Sequence, residues 1–477
     1  MVAGAPLLTS ADRIVTVPGG RAWAVCGVTA YVLAFHLVYV GIMAQLFAYS
    51  GLIYDPVDEL HVVLAGVIAV VPSLWLPLRI SRPSQVCLWL IYMIGYVPPQ
   101  LVAYYALHRG LGDLWPFTAV LLGGMSLLIG MDRIPRTYWV VPLSIDLRTY
   151  SRMLLLTAAA AAAYVALTVG INLQLPSLSD IYDTRAAYGE ELAASGGLVA
   201  YAVVWSANVI GPLLIALGLR QRRFALLVVG ILLELMIYGV TGFKTALFAS
   251  FLVVTLFVLL LPRRGGRGDW LPWLASGAIG GAVLVDQYSG SIEATSIFVR
   301  RLLEIPGLVT AYYFEFFSDH RPFHLAHSFL GAWFQQPSEL TPPQLIGSAY
   351  FGPRTWANGG LWADGLANFG YVGVLAFSGV LGAIFWVLDV VADGTDIAIT
   401  GPVVGIFGFV LSNSGLFTTI LSHGLAFAIL ALALLPRLPA TIRVGERVAR
   451  NSGGVPYRIE RVQPTRRKDL GGAAAPQ

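Results

Sequence analysis

Apolar positions in this chain run in long blocks and not in stripes. Stretches of about 20 residues with almost no charge fall near 22–48, 60–78, 86–107, 114–131, 151–172, 197–219, 224–241, 245–262, 270–286, 370–390, 400–418 and 420–436. At 1.5 Å per residue, about 20 helical residues cover the roughly 30 Å hydrocarbon core of a bilayer. A helix that is apolar on every side is stable only when surrounded by protein or lipid. The pattern therefore predicts an all-α, polytopic transmembrane bundle of about twelve spans, nine in 22–286 and three in 370–436. The first block, after Arg21, is too long for a signal-peptide core and lacks a convincing cleavage site, so it reads as a retained span.

Positive charge sits in the short breaks: Arg13 and Arg21, Arg79 and Arg82, Arg133, Arg136, Arg148 and Arg152, Arg220, Arg222 and Arg223, Arg263, Arg264 and Arg267, then Arg437, Arg443, Arg447 and Arg450. All of these clusters fall on one side if twelve spans start from a cytoplasmic N-terminus. Both the 1–21 segment and the 437–477 tail are then cytoplasmic. The tail is rich in Arg, Gly and Ala without apolar periodicity, which predicts disorder against lipid head groups.

Composition agrees. Of 477 residues, 57% are hydrophobic and 12% charged, against about 25% charged in soluble proteins. Mean hydropathy is +0.73. The net charge of +4 resides in those interspan clusters without interleaved aromatics, so anionic lipid is the expected partner and nucleic acid is not. Cys26 and Cys87 lie inside apolar blocks and offer neither a disulfide framework nor a zinc motif. No internal repeat suggests the pseudo-symmetry of many transporters.

Three features fall on the opposite, external side: the acidic loop Tyr54–Glu59, the segment Leu178–Arg185, and 287–369. The last is far longer than the roughly 2–8 residues that join most helices. It is rich in aromatic, His, Arg and Pro residues, so it predicts a large external loop carrying function. External cations accumulate there: Arg185, Lys244, Arg300, Arg301, Arg321 and Arg354. Positive-inside bias disfavours them, and an anionic ligand is the obvious reason. Guanidinium groups in a water-poor site stabilise charge developing on a diphosphate leaving group without a metal. The competing account of any one of them is contact with lipid phosphate or snorkelling at a helix end. Lys244 follows Gly239 and Gly242 in a turn where backbone can approach a ligand closely.

Glu234 sits in mid-span, where an acid is costly; a protonated carboxyl hydrogen-bonded to a neighbouring helix is the simpler reading. His320, His324 and His327 cluster, but Pro322 opposes a helical metal site, so an acid–base or acceptor role for one histidine is preferred. His423 ends a polar stripe, Asn413 to Gly424, inside an apolar hairpin.

Five segments together are similar to the oligosaccharide repeat-unit polymerases, the O-antigen polymerase type of membrane glycosyltransferase. They are Ser179–Arg185; Thr241–Phe248; Phe298–Gly307 continuing to Tyr312–Phe314; Ala357–Gly360 with Asp364–Gly370; and Leu416–Gly424. The resemblance implies a bacterial inner-membrane enzyme with a large external loop. It implies transfer, with inversion and without metal or cofactor, from an undecaprenyl-diphosphate-linked oligosaccharide to a second lipid-linked unit. A chain-length regulator and a flippase would be its protein partners. On this reading Arg185, Lys244 and Arg354 bind diphosphate, and Arg300, Arg301, His320, Arg321 and His423 assist the reaction. Tyr182, Tyr312, Tyr313, Asn358 and Asp364 would contact glycan. Trp333, Tyr350 and Trp362 are either sugar-stacking faces or core. Phe243 replaces the small polar residue often found before the lysine.

Three alternatives remain at this level. An O-antigen ligase would share the donor and the cations. A glycosyltransferase could use Asp58 and Glu59 as its carboxylates, although that loop is short for a site. A twelve-span transporter or lipid-glycan flippase would place ionisable residues near the midplane, where only Glu234 and His36 qualify.

Overall fold

The computed structural model describes residues 20–136, 145–170, 197–261, 266–328, 331–334 and 336–437. The architecture is all-helical, and each apolar block identified in the sequence carries helix. Among the described residues, eight helices are long and apolar enough to cross a membrane: Arg21–Leu46, Pro83–Ala106, Leu111–Asp132, Leu147–Thr168, Leu198–Gln221, Phe224–Thr241, Leu361–Val391 and Leu416–Ala433. Glu59–Leu74, Ala246–Leu260 and Ile397–Leu411 are shorter apolar helices. Leu271–Ser289 forms the helix of the remaining block. The chain divides into two units, Met1–Pro436 and Arg437–Gln477. The first holds all of these helices. The 1–19 segment and the tail beyond Arg437 lie outside the described residues.

Local signals set several helix ends. Asp58, Asp146 and Asp396 each accept a hydrogen bond from a backbone N–H of the first helical turn, at 2.9–3.0 Å. Such caps satisfy donors that the helix itself leaves open. Gly242, at φ 63°, ends Phe224–Thr241 in the left-handed region that glycine adopts without penalty.

Among the described residues, members of several of these arginine clusters meet at one end of the bundle. Arg21 donates to the carbonyls of Ser73 (3.0 Å) and Leu76 (2.6 Å), and Arg133 to Trp75 (3.2 Å). The 78–80 and 266–268 segments pair, with Gly268 N donating to Leu78 O at 2.9 Å. Arg82 and Arg136 converge on Asp132 and Asp389, and Arg220 pairs with Asp396. The opposite end gathers Asp55 with His108 (2.9 Å), Arg109 with Glu315 (3.2 Å), and Gly51 against the Tyr312 hydroxyl.

Segment 287–369, read from the sequence as a large external loop, contains substantial helix. Residues 293–319 form a continuous helix, π-helical over Ser296–Glu304 and α-helical over Ile305–Asp319. It packs against Pro83–Ala106, where Gly307 meets the backbone of Pro98 so closely that a Cβ would lie 3.0 Å from the Pro98 carbonyl carbon. Leu361–Val391 is not one straight span. Phe369 and Gly370 leave helical geometry, Gly370 at φ 59°, and the chain reverses there. Trp362 Nε1 donates to Ser378 Oγ at 2.9 Å, although sixteen residues of straight helix would separate them by about 24 Å. Gly365 and Gly373 press backbone to backbone in the same reversal. Residues 361–368 are therefore a half-helix lying antiparallel to the span that follows.

Candidate functional site

Two interrupted helices meet deep in the bundle. Ile397–Leu411 starts beside Arg220 at the arginine-rich end, and its fifteen residues reach about 22 Å. It stops level with Gly95, which is midway along Pro83–Ala106: the space of a Cβ on Gly95 is limited by Ser412 Oγ at 3.1 Å. The half-helix 361–368 begins at the same level, with Gly360 against the Ser412 carbonyl. Ile91, Gly95, Thr310, Gly360, Trp362 and Ser412 line a small cavity there. Non-helical backbone at membrane depth is tolerated where protein or a polar cavity surrounds it. The polar turn 412–415, the short helix Leu416–Leu421 and Gly424 at φ 88° complete the break.

Asp364 organises this junction. One carboxylate oxygen accepts from Leu416 N (3.0 Å), the other from Asn368 Nδ2 (2.8 Å). Asn368 in turn accepts Leu325 N on its side-chain oxygen (2.8 Å) and His324 N on its carbonyl (3.1 Å). His324 and Leu325 adopt positive φ, 49° and 65°, which costs energy for residues with side chains and is held here by those two bonds. The acid and amide thus join the half-helix, the 415–416 turn and the 323–328 turn. His423 Nε2 lies 2.9 Å from Ser414 Oγ, while its carbonyl accepts Asn208 Nδ2 at 3.0 Å. Asn208 belongs to the π-turn Ser206–Ile210, an irregularity frequent at functional sites.

The 293–319 helix brings cations to the same region. Arg300 places its guanidinium 4.1 Å from the Phe47 ring centre and donates from Nε to Ser296 Oγ at 2.9 Å. Arg301 is half-buried beside it. Phe298 contacts Phe248 (5.5 Å between ring centres), so the start of Lys244–Leu260 lies against the arginine-bearing turn. The Lys244 side chain, Tyr182 and Arg185 fall outside the described residues. Thr310, about 15 Å further along the helix, reaches the cavity shared with Gly360 and Ser412.

Sequence reasoning passed over Glu304. It is fully buried, and neither carboxylate oxygen has a hydrogen-bond partner. An acid inside the apolar run Leu302–Pro306 was the available signal. Arg109 was missed as well; it pairs with Glu315, which also bonds Tyr350. Burial, reinforced by Glu315, holds the Tyr350 phenol well above its ordinary range.

The other expected site residues separate into structural and surface groups. Tyr312 stacks on Tyr350 at 4.0 Å. Tyr313 is buried and donates to the Ala357 carbonyl at 3.0 Å, which places it in the core beneath the turn carrying exposed Asn358. Trp362 is likewise core, whereas Trp333 is 74% exposed. His320 stacks on Phe316 at 3.9 Å, and its Nδ1 lies 2.7 Å from the Phe316 carbonyl. His327 is half-buried, which lowers its basicity. Arg321 and Arg354 are exposed and make no ion pair among the described residues. Asp58 caps a helix and Glu59 accepts from Tyr54 (2.7 Å), so that carboxylate pair is occupied locally.

Comparison with protein-family models, curated proteins and solved structures finds no match to this chain.

Proposed function

We propose that this multi-pass membrane protein is a glycosyltransferase that polymerises lipid-diphosphate-linked oligosaccharide repeat units at the outer face of a bacterial inner membrane. Twelve crossings with both termini cytoplasmic belong to the same reading, with the arginine-rich end inside. One observation carries it. Consecutive Arg300 and Arg301 ride on a helix packed among apolar spans, and Thr310 of that helix lines a small cavity with Gly360 and Ser412 of the interrupted-helix junction.

The chemistry follows from that arrangement. A hydroxyl of the incoming lipid-linked unit attacks the anomeric carbon of the donor sugar from the face opposite the diphosphate. The glycosyl C–O bond breaks, and the bonding pair leaves with the polyprenyl diphosphate. Arg300 and Arg301, with Lys244 and Arg185, offset the growing negative charge; fixed donors in a water-poor site act most strongly on charge of that kind. The hydroxyl proton passes to His423, held in place by Ser414 and Asn208. Asp364 and Asn358 orient sugar hydroxyls. Transfer to a finished lipid core, as in a ligase, would use the same donor site.

The test is reconstitution in proteoliposomes with a polyprenyl-diphosphate-linked repeat unit as both donor and acceptor. A ladder of polymer with release of polyprenyl diphosphate is expected, and single units alone from Arg300→Ala. Release without a ladder, restored by adding a lipid-core acceptor, would transfer the reading to a ligase.

A second reading, transport or flipping of the lipid-linked glycan, draws on the two interrupted helices, since broken helices commonly build transporter sites. Movement of labelled substrate across the vesicle membrane without any new glycosidic bond would select it.

A further inference from the structure

The packing of Leu198–Gln221 on Phe224–Thr241 contains a feature that the proposed reaction does not use. Glu234, on Phe224–Thr241, is 1% exposed, and both of its carboxylate oxygens lack a hydrogen-bond partner. The neighbouring-helix hydrogen bond expected from the sequence is not there. Instead the carboxyl fits against Gly211, where its Oε1 occupies the space that a Cβ would take. Gly211 directly follows the π-turn Ser206–Ile210 and donates its N–H to the Ser206 carbonyl. A π-turn closes between residues i and i+5, so Ser206 and Gly211 lie one turn apart on roughly one side of the helix. Ser206 Oγ is also buried without a partner.

Two unpartnered polar groups, an acid and a hydroxyl, thus sit on adjoining turns of one helix pair. An ionised carboxylate with no hydrogen bond in such a place is strongly disfavoured. A metal cation would need several oxygen ligands, and no group of three His, Cys, Asp or Glu side chains gathers among the described residues. A proton meets the requirement alone.

We propose that Glu234 is a membrane-embedded proton-binding site, built by Gly211 and the Ser206–Ile210 π-turn, and that the bound proton keeps these two helices closed on each other. The bound proton leaves the carboxyl uncharged in the apolar space it shares with Gly211. The inference does not depend on the glycosyl-transfer reading. Its functional consequence runs through the π-turn, because Asn208 on that turn holds the carbonyl of His423.

The test is infrared difference spectroscopy of the full-length protein in proteoliposomes near neutral pH, comparing wild type with Glu234→Gln. The neutral amide matches the shape of the protonated acid, so the variant is expected to fold. A protonated-carboxyl C=O band that shifts in heavy water and is lost in Glu234→Gln supports the site. A difference spectrum showing the paired stretches of an ionised carboxylate overturns it. Should the variant not fold, labelling of wild type with a lipid-soluble carbodiimide decides. The reagent adds only to a carboxyl that gives up its proton to the reagent nitrogen as the new C–O bond forms. An adduct at Glu234 supports the proposal, and an unmodified Glu234 overturns it.

Discussion

The two ends of this bundle both carry arginine, and they use it differently. At the arginine-rich end Arg82, Arg136, Arg220 and Arg267 are matched by carboxylates from the chain itself, as Arg109 is by Glu315 at the other end. Asp389, whose side chain is fully buried, takes Arg136 at 2.8 Å and Ser84 Oγ at 2.7 Å; Asp132 takes Arg82 at 2.8 Å; Asp269 takes Arg267 at 2.5 Å. These pairs lock Pro83–Ala106, Leu111–Asp132 and Leu361–Val391 together. At the opposite end Arg300 rests over an aromatic ring and a serine hydroxyl, while Arg321 and Arg354 face outward. Arginine matched by internal acid is architecture. Arg300 also lies near the Glu304 carboxyl; the proposed diphosphate site rests on its place over Phe47, on a helix that bears two consecutive arginines.

Breaking the architectural end should have the largest effect. Arg136→Ala leaves Asp389 buried beside fewer donors, and removing one partner of a buried ion pair costs about 3–5 kcal/mol. The expected result is loss of folded protein in detergent, measured by size-exclusion yield and thermal unfolding. Arg300→Ala should do the reverse. Its unfolding temperature stays near wild type, while polymer formation falls about 10²–10³-fold, the usual effect of removing one donor to developing charge. A ladder of normal intensity from that variant would make Arg300 another structural arginine.

Asp364→Ala tests the junction between the ends. It deletes the acceptor for Leu416 N and Asn368, a loss of about 1–3 kcal/mol, and frees the 323–328 turn. Proteolysis within 323–328 should quicken, together with loss of polymer; an unchanged cleavage rate would show that Asn368 holds the turn without the acid. The smallest effect belongs to Arg354→Ala, within about 0.5 kcal/mol in stability as for most surface changes. A modest fall in polymer at low substrate would mark Arg354 as a contributor to donor capture, and unchanged kinetics would leave it a surface residue.

Helices and the shared end of the arginine clusters were legible because both follow from one-dimensional rules, apolar run length and charge position. The reversal at Phe369–Gly370 was not. The run from Leu361 onward is apolar throughout, and only the antiparallel contact of Gly365 with Gly373 and of Trp362 with Ser378 discloses the turn. The 293–319 helix was hidden for the opposite reason: Arg300, Arg301 and Glu304 make its first half read as polar loop, although Glu304 is buried. Of the expected site, Asp364 and the polar stripe ending at His423 stand in separate segments of the sequence, and only the structure joins them, through Asp364 and Leu416 N. Tyr313 was misjudged, because an aromatic that supports a turn from beneath looks, in sequence, the same as one that faces a sugar.

The most direct measurement is an electron cryo-microscopy map of the protein in a lipid nanodisc with polyprenyl diphosphate. The account predicts diphosphate density against Arg300 and Arg301, with the prenyl chain leaving between helices at that end. Density beside Arg82, Arg136 or Arg220, or bound lipid with Arg300 still seated over Phe47 and remote from phosphate, would contradict it.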